Sequence, residues 1–299
     1  MSLEQLAEVR ALVKARPHFT SPIEVRRAAW DGLAKRFPTP PDVRIERESL
    51  GGVPALRVSP PGVRTDRVIL FFHGGGFVLG SAWSHQELLS RLARAAGVQG
   101  IAIDYRLAPE HPFPAGLEDC VTAYEGLLAA GMKPSNIAFA GDSAGGTFVI
   151  AAMLAARERG LELPACGVCW SGWYDLTASS PSFTTNADRD YFVPPGFAQS
   201  APNLYLNGAD PKSPRVSPIF GDLSNFPPVF IQVGEPEVLS DDARWLERKL
   251  KEGGGEATLE VWPDMCHIWQ FFGPMLDEGI DATVRSGRFI RKHLLENNS

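Results

Sequence analysis

The chain has 299 residues, 44% of them hydrophobic, enough to bury one large core. Its formal net charge of −6 and pI near 5.6 argue against nucleic acid or an anionic membrane surface as the main partner. No stretch approaches the roughly 18 uncharged apolar residues that a membrane-spanning helix needs, so no such helix is expected.

Residues 1–40 read as one or two amphipathic helices, with Leu3, Leu6, Val9 and Val13 near helical spacing. The first ten residues are acidic where an export signal would be basic, and no apolar core follows, so a cytoplasmic protein is expected. Runs 43–48 and 53–58 flank Leu50, Gly51 and Gly52 and predict an antiparallel hairpin at a sheet edge. Apolar runs at 68–72, 98–103, 137–140, 166–170, 229–233 and 257–262 predict strands. Helical patterns at 84–96, 117–130, 147–159 and 241–251 fall between most of them, and 278–295 suits a closing helix. This alternation marks an α/β fold: a mostly parallel sheet of about eight strands with helices on both faces. One domain over 1–299 is expected. Residues 178–215 break the pattern, being rich in Ser, Pro, Asn and Asp with scattered aromatics (Phe183, Tyr191, Phe192, Phe197, Tyr205). An insertion that long between strands is usually functional. Residues 1–40 and 178–215 are expected to meet as a cap over the sheet's C-terminal edge, where ligands bind in such folds.

Cys166 and Cys169 are spaced Cys-x-x-Cys, but on a strand residues i and i+3 face opposite ways. With Cys120 and Cys266 isolated and the six histidines scattered, neither a metal site nor a disulfide framework is expected.

Ser143 lies in Asn-Ile-Ala-Phe-Ala-Gly-Asp-Ser-Ala-Gly-Gly, residues 136–146, between a predicted strand and a predicted helix. Gly141 and Gly145 flank it at two residues on either side, leaving out Cβ atoms that would collide in a sharp turn. This is a Gly-x-Ser-x-Gly nucleophile elbow in a strand–turn–helix setting. A serine hydroxyl needs a neighbouring base, and the base needs an orienting group. His267 follows the strand at 257–262 across a short loop and so reaches the same sheet edge. His18 (terminal helix), His111 (Pro-rich loop) and His293 (C-terminal helix) read as structural or exposed, and His85 lies near the loop after the first parallel strand. The orienting carboxylate should fall between serine and histidine in the chain. Glu235, Glu237, Asp241 and Asp242 follow the strand at 229–233. Ser240 reads as a helix N-cap with both aspartates in the first turn, and Glu235 comes immediately off the strand, so Glu237 is best placed. His73 and three glycines follow the strand at 68–72, exposing backbone N–H groups that can stabilise an oxyanion, and Ala144 should supply another.

The segments 73–77 (His-Gly-Gly-Gly-Phe), 104–115 (Asp-Tyr-Arg-Leu-Ala-Pro-Glu-His-Pro-Phe-Pro-Ala) and 141–146 (Gly-Asp-Ser-Ala-Gly-Gly) closely resemble the bacterial hormone-sensitive-lipase-like esterases of the α/β-hydrolase fold. The likeness extends through 203–206, 227–234 and the His267 loop. It implies a carboxylic ester hydrolase without a cofactor, with Ser143 as nucleophile, His267 as base and the N–H groups of Gly75, Gly76 and Ala144 as oxyanion donors. A helical cap and a homodimer through the C-terminal strand and helix are implied in the same way. The family's acid loop usually has aspartate where this chain has Glu237. The expectation is therefore an esterase that cleaves small esters with short acyl chains, about two to eight carbons, through an acyl-enzyme. An amidase on the same triad, or a non-catalytic small-molecule receptor, are the alternatives. Phe77 and Trp83, just beyond the glycines, read equally as pocket walls that limit its depth or as core.

Overall fold

The computed structural model describes residues 2–194 and 196–296; Met1, Pro195 and residues 297–299, parts of the expected domain and cap, lie outside them. Two helices come first, α1 (Leu3–Lys14) and α2 (Ile23–Ala34). Then follow β1 (Arg44–Leu50), β2 (Val53–Ser59), β3 (Arg64–Phe72), α3 (Ala82–Ala96), β4 (Val98–Ile103), α4 (Ala115–Ala129), β5 (Ile137–Asp142), α5 (Ala144–Glu158) and β6 (Cys166–Trp170). After the short α6 (Ser182–Thr185) and α7 (Phe197–Leu206) come β7 (Val229–Gly234), α8 (Ser240–Glu252), β8 (Ala257–Trp262) and α9 (Asp277–Arg291).

The eight strands form one sheet in the order β1-β2-β4-β3-β5-β6-β7-β8. Only β2 runs antiparallel to its neighbours β1 and β4; every other pairing is parallel. Gly51 and Gly52, both at positive φ, make the tight β1–β2 turn that only glycine enters freely. The central strands β4, β5 and β6 are buried along their whole length, which is why they read as continuous apolar runs rather than alternating ones. Helices α4, α5 and α8 cover one face and α3 and α9 the other. Cys169 joins the core on the first face and Cys166 the core on the second, as the strand period requires. In α1, Val9 and Val13 are buried while Leu3 is exposed, so the apolar stripe is shorter than the sequence spacing suggested. No described helix is long and apolar enough to cross a membrane.

The parallel register aligns the ends of the strands. Phe72 pairs with Gly141, Asp142 with Trp170, and Gly234 with Trp262. The residues that come next, His73–Gly76, Ser143, Ser171, the loop after Gly234 and the loop before His267, therefore collect along one edge of the sheet.

Candidate active site

Ser143 occupies the one-residue turn between β5 and α5, with φ 53° and ψ −121°. A non-glycine residue in such a conformation carries strain of order 1–3 kcal/mol and persists only where its surroundings enforce it. Here they do. The Ser143 N–H donates to the carbonyl of Trp170 at 2.7 Å, and a Cβ at Gly145 or Gly141 would overlap backbone atoms of Phe72 or of Gly145. The turn lifts the hydroxyl to the strand-end edge, over the first turn of α5.

His267 meets it there. Its Nε2 lies 2.9 Å from the Ser143 Oγ, and its Nδ1 lies 2.7 Å from Oε2 of Glu237. Glu237 is fully buried, and its other oxygen accepts from the Ser171 hydroxyl at 2.7 Å and from the Gly234 N–H at 2.6 Å. Ser171 also accepts from the N–H of Ile268 at 3.1 Å, so one hydroxyl ties the carboxylate to the histidine's own loop. An unbroken hydroxyl–imidazole–carboxylate chain of this kind can move a proton off the serine.

Gly75 and Gly76, at φ 127° and 61°, border the same cleft as Ser143 and His267. The N–H groups of Val78 and Leu79 fold back onto the Gly75 carbonyl, and a Cβ on Gly75 would collide with Leu79. Glycine is required at that position. Among the described residues, the N–H groups of Gly75, Gly76 and Ala144 engage no acceptor. Such groups are free to receive a developing negative charge. The Gly74 N–H, by contrast, is held by Asp142 at 3.0 Å.

A family profile described as the alpha/beta hydrolase fold matches residues 69–271. A crystal structure of an esterase from the bacterial hormone-sensitive lipase family superposes with TM-score 0.94 at 46% identity, covering 97% of this chain and 98% of that one. This chain is a member of that esterase family. An acetyl-hydrolase of Streptomyces hygroscopicus is 41% identical over 97% of both chains. A carboxylesterase of Mycobacterium tuberculosis, NlhH, is 35% identical over 91% of this chain and 90% of its own. The protein is an ester-hydrolysing enzyme.

Phe77 and Trp83, which the sequence left open between pocket wall and core, are not among the residues that line the esterase's cleft. Phe77, at φ 66°, turns inward and stacks on Tyr205 at 3.9 Å between centroids, with Phe148 edge-on at 5.2 Å. It is core. Trp83 sits in the first turn of α3, is exposed, and is not one of the cleft-lining residues. The walls come instead from Trp173, Phe183, Phe192, Phe197 and Leu239, around a volume of about 270 Å³. His18 lies in the loop between α1 and α2, at the cleft, rather than in a helix. His73 is buried between the rings of Tyr105 and His85, and burial pulls its imidazole down to about 3, leaving it neutral. In the 104–115 segment, Arg106 pairs with Asp119, and Glu110 holds Arg27 of α2.

The rival carboxylates are each engaged elsewhere. Glu235 turns out to Arg189. The helix-capping expectation needs correction: Leu239 is the N-cap of α8, Ser240 is the first helical residue, and Asp242 is no surface acid. Asp242 is fully buried, and its Oδ2 accepts from the N–H groups of Tyr174 and Asp175, at 3.0 Å each. Burial pushes its carboxyl up to about 7. In the unfolded chain the group ionises near pH 4, so the folded state holds the proton longer. Stability therefore falls as pH rises from about 4 to about 7, then levels off. Asp242→Asn, uncharged throughout, should remove this part of the slope. Its melting temperature should gain on the parent's between pH 5 and pH 8, by roughly 2–4 °C per kcal/mol recovered. A constant difference across that range would show that Asp242 does not titrate there.

Sequence reasoning missed the brace on the acid loop. Asn186 donates from Nδ2 to the carbonyls of Glu237 at 2.8 Å and Glu235 at 3.1 Å. Asp190 accepts the Val238 N–H on one oxygen and the N–H groups of Phe192 and Val193 on the other. Phe192 in turn packs its ring 5.0 Å from that of His267. The 178–215 insertion thus grips the loop that carries Glu237.

Proposed function

We propose that this esterase cleaves short-chain acyl esters, acetyl esters among them, through a covalent acyl-enzyme on Ser143. The observation that carries the proposal is the Ser143–His267–Glu237 chain, with links of 2.9 and 2.7 Å. His267 Nε2 takes the proton as Ser143 attacks the ester carbonyl. Glu237 keeps Nδ1 protonated and stabilises the imidazolium that results. The N–H groups of Gly75, Gly76 and Ala144 receive the oxyanion, at roughly 3 kcal/mol per donor. His267 then protonates the leaving alcohol, and a water activated by the same ring releases the acid. Glutamate in place of the family's usual aspartate fits, because the Gly234 N–H and Ser171 draw one of its oxygens inward and leave the other on His267.

Helices α1 and α2 and the 178–215 insertion act as the cap: residues from both line the cleft with Ser143. A volume of about 270 Å³ is at the small end for ligand pockets, and the wall is aromatic, which supports a short acyl limit. The name of the Streptomyces relative, an acetyl-hydrolase, points the same way. A series of p-nitrophenyl esters tests it. Each added methylene should raise kcat/KM about fourfold (~0.8 kcal/mol) until the pocket ends, with the maximum within about eight carbons and a sharp drop beyond. Rates that climb through long chains, or jump at an oil–water interface, would refute the short pocket.

A further inference from the structure

The cleft's charges do not belong to the hydrolytic chain. Lys14, Arg16 and Arg26 all line it, and among the described residues no aspartate or glutamate does. In a protein of net charge −6, a cationic cleft is a local concentration rather than a reflection of composition. Arg27, the next residue, shows how this chain settles an arginine it merely needs to park: Glu110 holds it in a two-point ion pair at 2.7 and 2.8 Å. The Arg26 guanidinium has no hydrogen-bond or carboxylate partner among the described residues, although the residue is half-buried. Arg16 donates to two carbonyls, from Nε to Val13 at 3.1 Å and from one terminal nitrogen to Phe192 at 2.8 Å. Its remaining nitrogen engages nothing among the described residues. Asp190, whose charge Arg16 feels, has both oxygens taken by backbone N–H groups and forms no ion pair with it. Desolvation pulls both guanidinium groups below their ordinary value, Arg16 to about 10 despite the attraction of Asp190; Arg26 adds a smaller repulsion on Arg16 and Arg27 one on Arg26, yet Arg16 stays charged at neutral pH. Partly desolvated cations left unpaired are a cost to the fold, and a ligand anion offsets it.

Geometry also says which half of an ester would reach Arg16. His267 hands its proton to the leaving oxygen, so the alcohol portion departs on the His267 side. The Phe192 ring is the next group there, 5.0 Å from the imidazole, and the Arg16 guanidinium lies 3.7 Å over that ring's centroid. One aromatic ring separates Arg16 from the reacting histidine. Building on the ester-hydrolase reading above, we infer that this enzyme selects esters whose alcohol portion carries an oxyanion group, received by Arg16 and Arg26 at the cap side of the cleft. A planar carboxylate or a phosphate would each suit a pair of guanidinium forks.

The test compares 4-acetoxybenzoate with 4-acetoxybenzamide, near-isosteres that differ in charge and place it one ring away from the scissile bond. The readout is the ratio of their kcat/KM values, taken for the full chain and its variants, which cancels the intrinsic reactivity of each ester. Arg26→Gln should lower the anion-to-neutral ratio at least tenfold and Arg26→Glu further. Arg26→Lys should retain most of it, and about 0.5 M NaCl should shrink it more in the parent and the lysine variant than in Arg26→Gln. 4-Acetoxyphenyl phosphate run alongside tells whether phosphate is preferred to carboxylate. A ratio that neither Arg26→Gln nor Arg26→Glu moves, with the neutral ester still cleaved, overturns the anion site and leaves the esterase reading standing. Failure of the parent to cleave any of the three esters overturns both.

Discussion

Ser143→Ala is expected to reduce ester hydrolysis by roughly 10⁴–10⁶-fold while leaving the fold intact. The fold survives because alanine keeps the Cβ that Ser143 already carries, so the cost of a φ of 53° is unchanged. The Ser143 N–H bond to Trp170 does not involve the side chain. What disappears is the only hydroxyl within reach of His267 Nε2 among the described residues. A serine-directed phosphonate should label the parent at position 143 and fail to label the variant. Melting temperatures of the two should agree within a few degrees. Label found on another serine, or activity near the parent's, would overturn the assignment of Ser143 as nucleophile.

What the sequence made legible and what it hid divide along physical lines. The strands could be read because β4, β5 and β6 are buried on both faces and so appear as unbroken apolar runs. Ser143 could be read because its whole signature sits in a few consecutive residues, although the backbone that excludes a Cβ at Gly145 is that of Phe72 on the neighbouring strand. The brace on Glu237 was hidden because its parts lie far apart in the chain. Ser171 is 66 residues from Glu237, Asn186 is 51, and Asp190 is 48 from Val238. Nothing local marks a serine or asparagine as the partner of a distant loop. Ser171 alone left a trace, since it follows β6 directly and so had to emerge on the same edge as Ser143. Phe77 stayed undecided between pocket and core for a similar reason. Its place after three glycines put it near the site, but the positive φ that swings it against Tyr205 is a property of the folded turn. His18 and the cationic rim depend on how α1 and α2 lie over the sheet, which no spacing within them reveals.

Glu237→Gln should lower kcat by about 10⁴-fold with little change in KM. Of the carboxylate's two oxygens, one accepts from Gly234 and Ser171, and the other faces Nδ1 of His267. A glutamine keeps the first set of bonds with its carbonyl oxygen, so the loop between β7 and α8 has no reason to move. Its amide nitrogen then faces His267, and an N–H cannot accept from the Nδ1 proton. The imidazole responds by shifting its proton to Nε2, the atom that must take the proton from Ser143, and the base is lost while the geometry remains. No negative charge is left to stabilise the imidazolium either. Asp241→Asn, on the first turn of α8 four residues on, should cost the interaction of its charge with the helix terminus and with Arg244 at 3.7 Å, together roughly 0.3–1 kcal/mol of stability, with kcat unchanged. The brace adds a graded control. Asp190→Asn loosens the Val238 end of the same loop without touching the histidine, so it should fall between the two variants. If Asp241→Asn were the crippled variant and Glu237→Gln the active one, the orienting acid would be Asp241, and the buried pairing of Glu237 with His267 would be structural.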